Sequence, residues 1–543
     1  MKYTDALTEH YSPLLEGNYD CMDRIVLNAY CKSLQIPGGF RLWYRDLCAN
    51  EDRLTTAGLM RFAGRMSRRV QNFCRSRNIP LVHFKTGERK HEVAEDLMPK
   101  TTGFTGIFAV FVSRAPAKIW EVVKLKKGGI FLRRKNGLAL VNHYYFHILD
   151  REWGHLTIRM SAHPSFNCQI ILNGHEWVER RKAVNKLNIT KTGNCFTGYN
   201  DGDVLSKVAD TLKQKGQLEK VCDRWIYRCL WFALNYKEQE STRFRYSYSV
   251  YQIEYSRNLL FQRGHQLEIV YQNIIDLTRR QLTIKDLKTI FGVKNRPYYR
   301  KKKVDFSGLG VRVETPDYNL TVFKIHFKGI TLKLYDKGER TLRSEVVVHN
   351  AKALKCKRGL DALPQIVDKL KSAMLLFMNS LKHAHVALIH DGDLENLVKP
   401  TQKGSARIAG VNVFNQRLQD LIAVAIAFSV KPDGFTITDI MGEMKYKYGP
   451  DYSVRQAAYD LRKLRGKALV EKIKGSHRYY VTSDGLSQMV ALLFLVKQDA
   501  PKMLSAIQCQ GVAESQNPVD QIYFQIASGI QSLQKHHGLS IAA

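Results

Sequence analysis

Acidic residues are scarce in this chain. Fifty Asp and Glu stand against 84 Lys and Arg, which leaves a formal net charge of +34. The excess is spread along the sequence instead of being gathered in one arm, so basic surface is expected on several domains. Such a field attracts polyanions, and nucleic acid is the first of them. Proline is also sparse, with 14 residues, which excludes a Pro-rich tail. No stretch offers the roughly eighteen uninterrupted apolar residues that a membrane span needs. The polar start MKYTDALTEHYSP does not have the character of a signal peptide. A cytoplasmic protein without a membrane partner is therefore expected. The ten cysteines include no Cys-x-x-Cys pair, so neither a zinc ribbon nor a disulfide framework is expected, and the thiols read as reduced. A Walker-type phosphate loop, a Ser-His-Asp order and a dinucleotide fingerprint are all missing, which argues against nucleotide hydrolysis and redox chemistry.

What is there is ordinary folded composition: 44% hydrophobic and 10% aromatic residues over 543 positions. That length suggests about two to four domains, and the fold class expected is multidomain α+β. Residues 1–125 read as an α/β unit, with strand-like DRIVLNAYC, IPLVHF and TGIFAVFVS around a helical LTTAGLMRFAGRMSRRVQNFCRSR. Residues 126–396 read as a central α+β body with an antiparallel sheet. Within it, the aromatic-rich stretch at about 215–292 is expected to be a helical insert. A Lys/Pro/Gly/Ser linker is placed at 397–412 and a helical tail at 496–543.

Residues 413–495 follow the order helix, helix, helix, hairpin. TITDIMGEMKYKYG opens on a threonine cap and closes on glycine, and SVRQAAYDLRKLRGKALV opens on a serine cap. In the latter, Ala457, Leu461 and Leu464 form one apolar stripe, and Arg455, Gln456, Tyr459, Arg462 and Lys463 lie elsewhere on the surface. LVEKIKGSHRYYVT is then a two-stranded wing carrying Lys474, His477 and Arg478. This order is that of a winged helix-turn-helix, whose third helix enters the major groove of DNA while the wing touches the backbone. Arg and Gln suit base edges, and Lys and Arg suit phosphates. A second basic patch, KNRPYYRKKK with Arg300, Lys301 and Lys302, joins cations to tyrosines as single-strand binders do.

The segment TLKLYDKGERTLRSEV, residues 331–346, reads as a hairpin rich in charge. Alternation puts Thr331, Lys333 and Tyr335 on one face of the first strand, and Arg343 and Glu345 on one face of the second. Two readings stand open: cross-strand ion pairing, or a tyrosine nucleophile with cations around it. LKLYDKGE followed by LRSEV and AKALK resembles the rolling-circle replication initiators of filamentous phages and small plasmids, and GNCFTGYNDGDVLSKV upstream is loosely similar to the loop and helix before that strand. The resemblance implies that Tyr335 attacks a phosphodiester. It implies that Lys333, Lys337 and Arg343 steady phosphate charge, and that Glu339 or Glu345 serves metal or proton transfer with Mg²⁺ or Mn²⁺. The family's His-hydrophobic-His strand is not found; HAHVALIH (383–390) continues a helix. Candidate metal ligands in the β-rich region are His143, His147, Asp150, His175 and Glu176.

The leading expectation is a DNA-binding protein of a mobile or extrachromosomal element, acting on single- or double-stranded DNA as an endonuclease in replication initiation. A non-catalytic DNA-binding regulator and a structured-RNA-binding protein are the alternatives.

Overall fold

The computed structural model describes residues 5–48, 54–84, 90–101, 103–124, 130–271, 310–317, 320–327, 329–337, 339–385, 393–403, 406–431, 433–494 and isolated positions between 496 and 532. The chain divides into two units: Leu15–Gly264 with Gly329–Lys371, and Met1–Leu14 with His265–Lys328 and Ser372–Ala543. The first unit contains β1 (Leu15–Tyr30), β2 (Leu81–Phe84), β3 (Gly106–Ala117), β4 (Trp120–Lys124), β5 (Ile130–Arg134), β6 (Ala139–Asp150), β7 (Gly154–Ser161), β8 (Cys168–Asn173), β9 (Thr190–Thr192), β10 (Cys195–Gly198) and β11 (Ser247–Phe261). The hairpin of β12 (Gly310–Asp317) and β13 (Leu320–Phe327) belongs to the second unit. The chain then returns to the first with β14 (Ile330–Lys337) and β15 (Thr341–Val348). Fold class is thus mixed α+β around a large sheet.

In the first unit the strands lie in the order β14-β15-β11-β1-β8-β7-β6-β3-β2. All neighbours pair antiparallel except β2 and β3, which are parallel. Strand β1 pairs with β11 on one side and β8 on the other. Its apolar run Ile25-Val26-Leu27 is at most 3% exposed, as a strand covered on both faces requires. Amphipathic helices cover the sheet. Helix α3 (Thr56–Ser76), which follows α1 (Ala6–Tyr11) and α2 (Pro37–Leu47), buries Leu59, Phe62, Met66, Val70 and Cys74, spaced three or four apart. After α4 (Lys90–Asp96) come α5 (Gly174–Glu179), α6 (Gly202–Asp210), α7 (Gln217–Leu230) and α8 (Tyr236–Ser241).

Three expectations change. The helical insert at 215–292 holds for α7, α8 and the helical residues 264–271, but YSVYQIEYSRNLLF is the strand β11, between β1 and β15. Its aromatics at 248, 251 and 255 fall at the spacing of a helical stripe, but the segment pairs with β1 and β15 on its two edges. Residues 272–292 lie outside the described residues. The boundary at 125 does not separate two bodies, because β3 pairs with β6 across it. The segment KLKKGGIFLRR, which reads as a basic hairpin, contributes to β4–β5, with its tip at 125–129 outside the described residues. The linker at 397–412 is built structure: after α9 (Leu363–His385) and α10 (Asp393–Val398), the hairpin of β16 (Thr401–Lys403) and β17 (Ala406–Ile408) follows, with Ile408 8% and Val411 0% exposed. Helix α9 runs through His385, and the rest of HAHVALIH lies outside the described residues.

The second unit contains α11 (Gln416–Phe428), α12 (Ile437–Tyr448), α13 (Val454–Gly466), the hairpin of β18 (Val470–Lys472) and β19 (Tyr479–Val481), and α14 (Ser483–Phe494). Capping boxes start two of these helices: Thr436 with Asp439, and Ser453 with Gln456. Two buried aspartates fix the helices. Asp460 takes Arg417 at 3.1 Å and the Tyr452 hydroxyl at 3.0 Å; Asp420 takes Lys447 at 2.6 Å and the Tyr448 hydroxyl at 2.5 Å. Ala457, Leu461 and Leu464 face the core as one stripe.

Candidate functional site

The hairpin β14–β15 sets Tyr335 opposite Arg343 and Lys333 opposite Glu345. The rows continue across the sheet: Arg343 faces Asn258 on β11, which faces Tyr19 on β1, and Glu345 faces Ser256, which faces Cys21. One sheet face therefore carries polar side chains over four adjacent strands. A register shift between Met22 and Ile25 marks a bulge in β1, and such a bulge re-aims a side chain. Asp23 sits in it, 1% exposed.

Arg343 is 0% exposed and held on three sides. It donates through Nη2 to Asp23 Oδ2 and through Nη1 to the Asn194 carbonyl at 2.6 Å, and its Nε lies 2.8 Å from Glu345 Oε1. Asn194 also donates its amide to both Asp23 oxygens, at 3.0 and 2.9 Å. Glu345 accepts from the Tyr335 hydroxyl at 2.6 Å and from Lys333 Nζ at 3.0 Å. His175 enters from α5, whose cap Asn173 accepts from the His175 backbone N–H at 2.9 Å. Gly174 lets that helix start close to β1, since a Cβ there would lie 1.8 Å from the Met22 carbonyl. His175 Nδ1 is 3.2 Å from Asp23 Oδ1. An ionised carboxylate only accepts, so the proton belongs on Nδ1 and Nε2 accepts from the Tyr19 hydroxyl at 3.3 Å.

The charges in this layer balance: Arg343 and Lys333 against Asp23 and Glu345. Burial opposes ionisation of both carboxyls, but Arg343 outweighs it, helped by His175 and Asn194 at Asp23 and by Lys333 at Glu345, and both stay below the usual carboxylate range. Burial pushes the Tyr335 hydroxyl far above its ordinary value; Arg343 eases this and Glu345 adds to it. The resting proton stays on Tyr335, and Glu345 is a weak base.

Of the expected catalytic set, Tyr335, Lys333, Arg343 and Glu345 come together. Lys337 ends β14, Glu339 is exposed in the turn, and among the described residues neither side chain bonds to this cluster. Arg343 cannot meet a phosphate from solvent, because it is enclosed and its donors face protein acceptors. The hairpin carries cross-strand ion pairing, which extends inward to Asp23. The metal candidates do not converge. His147 lies 3.1 Å from His155, and Asp150 accepts from Trp225 at 2.7 Å and Arg224 at 2.8 Å. Glu176 pairs with Arg180 and Lys191, His143 lies against the Val141 carbonyl, and His175 is committed to Asp23. Among the described residues no group of three His, Cys, Asp or Glu is placed to hold a metal ion, so these residues do not fit the expected Mg²⁺ or Mn²⁺.

In the second unit, Arg455, Gln456, Tyr459, Arg462, Lys474 and His477 are exposed and Lys463 is half-buried over the Tyr459 ring at 4.7 Å. Gln456 also accepts from the Ser453 backbone N–H at 2.7 Å, and Arg478 braces the hairpin by donating to the Asp433 and Gly434 carbonyls. Arg300, Lys301 and Lys302 lie outside the described residues. Sequence reading missed Asp23, Asn194 and Tyr19. The one signal was a carboxylate inside the apolar run CMDRIVL.

Removing Arg343 leaves two buried anions without their main cation. Arg343→Met should cost about 3–5 kcal/mol, read from the urea unfolding midpoint, whereas Lys333→Met, at a half-exposed site, should cost far less; equal costs would refute the assignment. Acid should act in two windows. Burial, with Arg159 adding, lowers His143 to about 4, and burial also lowers His175. Unfolded histidines bind protons from about pH 6.5, so stability is full above that and falls as pH drops. Asp23 and Glu345, lowered in the fold, contribute fully above about pH 4 and lose that contribution below it. His143→Gln should shrink the loss between pH 7 and 5; an unchanged loss would remove His143 from the account. No family model, no curated protein and no solved structure matches this chain.

Proposed function

We propose that this is a DNA-binding protein whose residues 413–494 form a winged helix-turn-helix, with α13 as the recognition helix and β18–β19 as the wing. The observation that carries this reading is the exposed face of α13. Arg455, Tyr459 and Arg462 project from it while Ala457, Leu461 and Leu464 anchor the opposite face. The hairpin presents Lys474 and His477, also exposed. Among the described residues Arg455, Arg462 and Lys474 have no ion pair with a carboxylate, and the chain's net charge of +34 favours a polyanion. Arginine suits guanine edges and lysine suits phosphate. The role in a mobile or extrachromosomal element belongs to this proposal.

A second reading, strand transfer through Tyr335, keeps one specific observation: its hydroxyl lies 2.6 Å from the Glu345 carboxylate, as a nucleophile lies from its base. The raised Tyr335 and lowered Glu345 pKa values count against it, and the non-catalytic DNA-binding reading is the better supported.

The test of the first reading is selection of the full chain on a random duplex pool, followed by affinity measurements at several salt concentrations. Arg455→Ala with Arg462→Ala should weaken binding to the selected site by about 1–3 kcal/mol for each arginine that reads a base. Lys474→Ala should lower the salt slope by about one. No selected site, or tighter binding to folded RNA at matched salt, would overturn it. For the second reading, labelled single-stranded DNA and Mn²⁺ are incubated with wild type and Tyr335→Phe on a denaturing gel. The ion-pair account expects no covalent adduct from either; an adduct in wild type alone would establish the nucleophile.

A further inference from the structure

A cavity of about 320 Å³ opens on the first unit, lined among others by Asn28, Gln35, His143, Arg159, Asn167 and Gln169. None of the Arg343 cluster's residues lines it. Three of its residues form a cross-strand row: Asn28 on β1 faces Gln169 on β8, which faces Arg159 on β7. No carboxylate lines it. Among the described residues Arg159 has no ion-pair partner, and its buried Nε has no hydrogen-bond partner.

The direction of the hydrogen bonds here is forced by arginine, which can only donate. Arg134 donates to Gln35 Oε1 at 2.9 Å, so Gln35 turns its amide nitrogen to Asn167 Oδ1 at 3.1 Å. Arg159 approaches Gln169 Oε1 at 3.5 Å, and Gln169 turns its nitrogen to Asn28 Oδ1 at 2.9 Å. All four amide oxygens are engaged. What remains is a set of donors: the side-chain N–H groups of Asn28 and Asn167 and the guanidinium of Arg159. These donors surround a guanidinium that no lining carboxylate meets and that lies 5.8 Å from the Tyr145 ring centroid, and such a set is complementary to an oxyanion. His143, its Nδ1 against the Val141 carbonyl at 3.2 Å, keeps Nε2 as an acceptor, which suits a sugar hydroxyl. The volume falls at the lower end of the range for small-molecule sites, about 300–1,000 Å³, and is ample for more than a bare ion.

We propose that this pocket binds a nucleoside monophosphate unit, with its phosphate on Arg159 and the Asn28 and Asn167 amides. The site stands independently of the DNA-binding reading of residues 413–494. The phosphate can come from a free nucleotide or from a single strand, and the experiment separates the two.

The full chain is titrated calorimetrically with dAMP, dGMP, dCMP, dTMP and inorganic phosphate, alongside Arg159→Gln and Asn28→Asp. Arg159→Gln strands no carboxylate and should fold normally, which far-UV circular dichroism checks. At least one nucleotide should bind saturably and more tightly than inorganic phosphate, and both variants should weaken it at least tenfold. Duplex binding by Arg159→Gln should be unchanged, so failure here is distinguishable from failure of the DNA-binding reading. Displacement of the nucleotide by a short single strand would support the pocket with a strand as its source; no displacement would support a free nucleotide. The proposal is overturned if no nucleotide binds, if inorganic phosphate binds as tightly, or if binding survives Arg159→Gln.

Discussion

A guanidinium with no access to water constrains the rest of the first unit. Arg343 is 0% exposed, and a charge in that position must be met by opposite charge and by acceptors of suitable geometry or the fold does not form. Its partners come from far along the chain: Asp23 lies 320 residues away and the Asn194 carbonyl 149. Bringing them to one point requires the bulge in β1, the β9–β10 turn that offers Asn194, and the register that sets Glu345 beside Arg343. The central strand order β15-β11-β1 is the arrangement that lets a side chain on β15 reach one on β1.

The same interaction decides what this layer can do. Two cations and two carboxylates neutralise each other, so an arriving phosphate finds no uncommitted charge. The tyrosine that borders the layer is held protonated by burial, and the carboxylate beside it is made a weak base by the two cations that pair with it. Residue types suited to phosphoryl chemistry are here bonded to one another across the strands.

Elsewhere the accounting differs, and the difference is where function is read. On α13 the cations stand on the outside of a helix anchored by an apolar stripe, and solvent or a polyanion is what they meet. Around Arg159 the side-chain amides are paired, each oxygen meeting a donor, and amide N–H groups and the guanidinium are left toward the cavity. In both places positive character remains after internal pairing is complete, as a chain of +34 allows. Buried and matched charge holds the fold; unmatched charge at a surface or in a cavity is available to a ligand.

Local chemistry was legible in the sequence. The serine and threonine caps, the stripe Ala457-Leu461-Leu464, the long helix α3 and the hairpin turn of β14–β15 follow from interactions within a few residues, which neighbouring letters specify. Strand β11 did not follow, because Tyr248, Tyr251 and Tyr255 also fall at helical spacing and compete with the alternation of YSYSVYQIEY. Residues 1–125 were taken as a separate body because nothing local shows that β3 pairs beyond that boundary with β6. The hairpin segment offered Lys333, Tyr335, Arg343 and Glu345, which the fold brings together, and left two roles open. Only the tertiary structure showed the ion pairing, because Arg343's partners, Asp23 and Asn194, are distant in sequence, and long-range pairing of charge leaves no periodic trace in a chain.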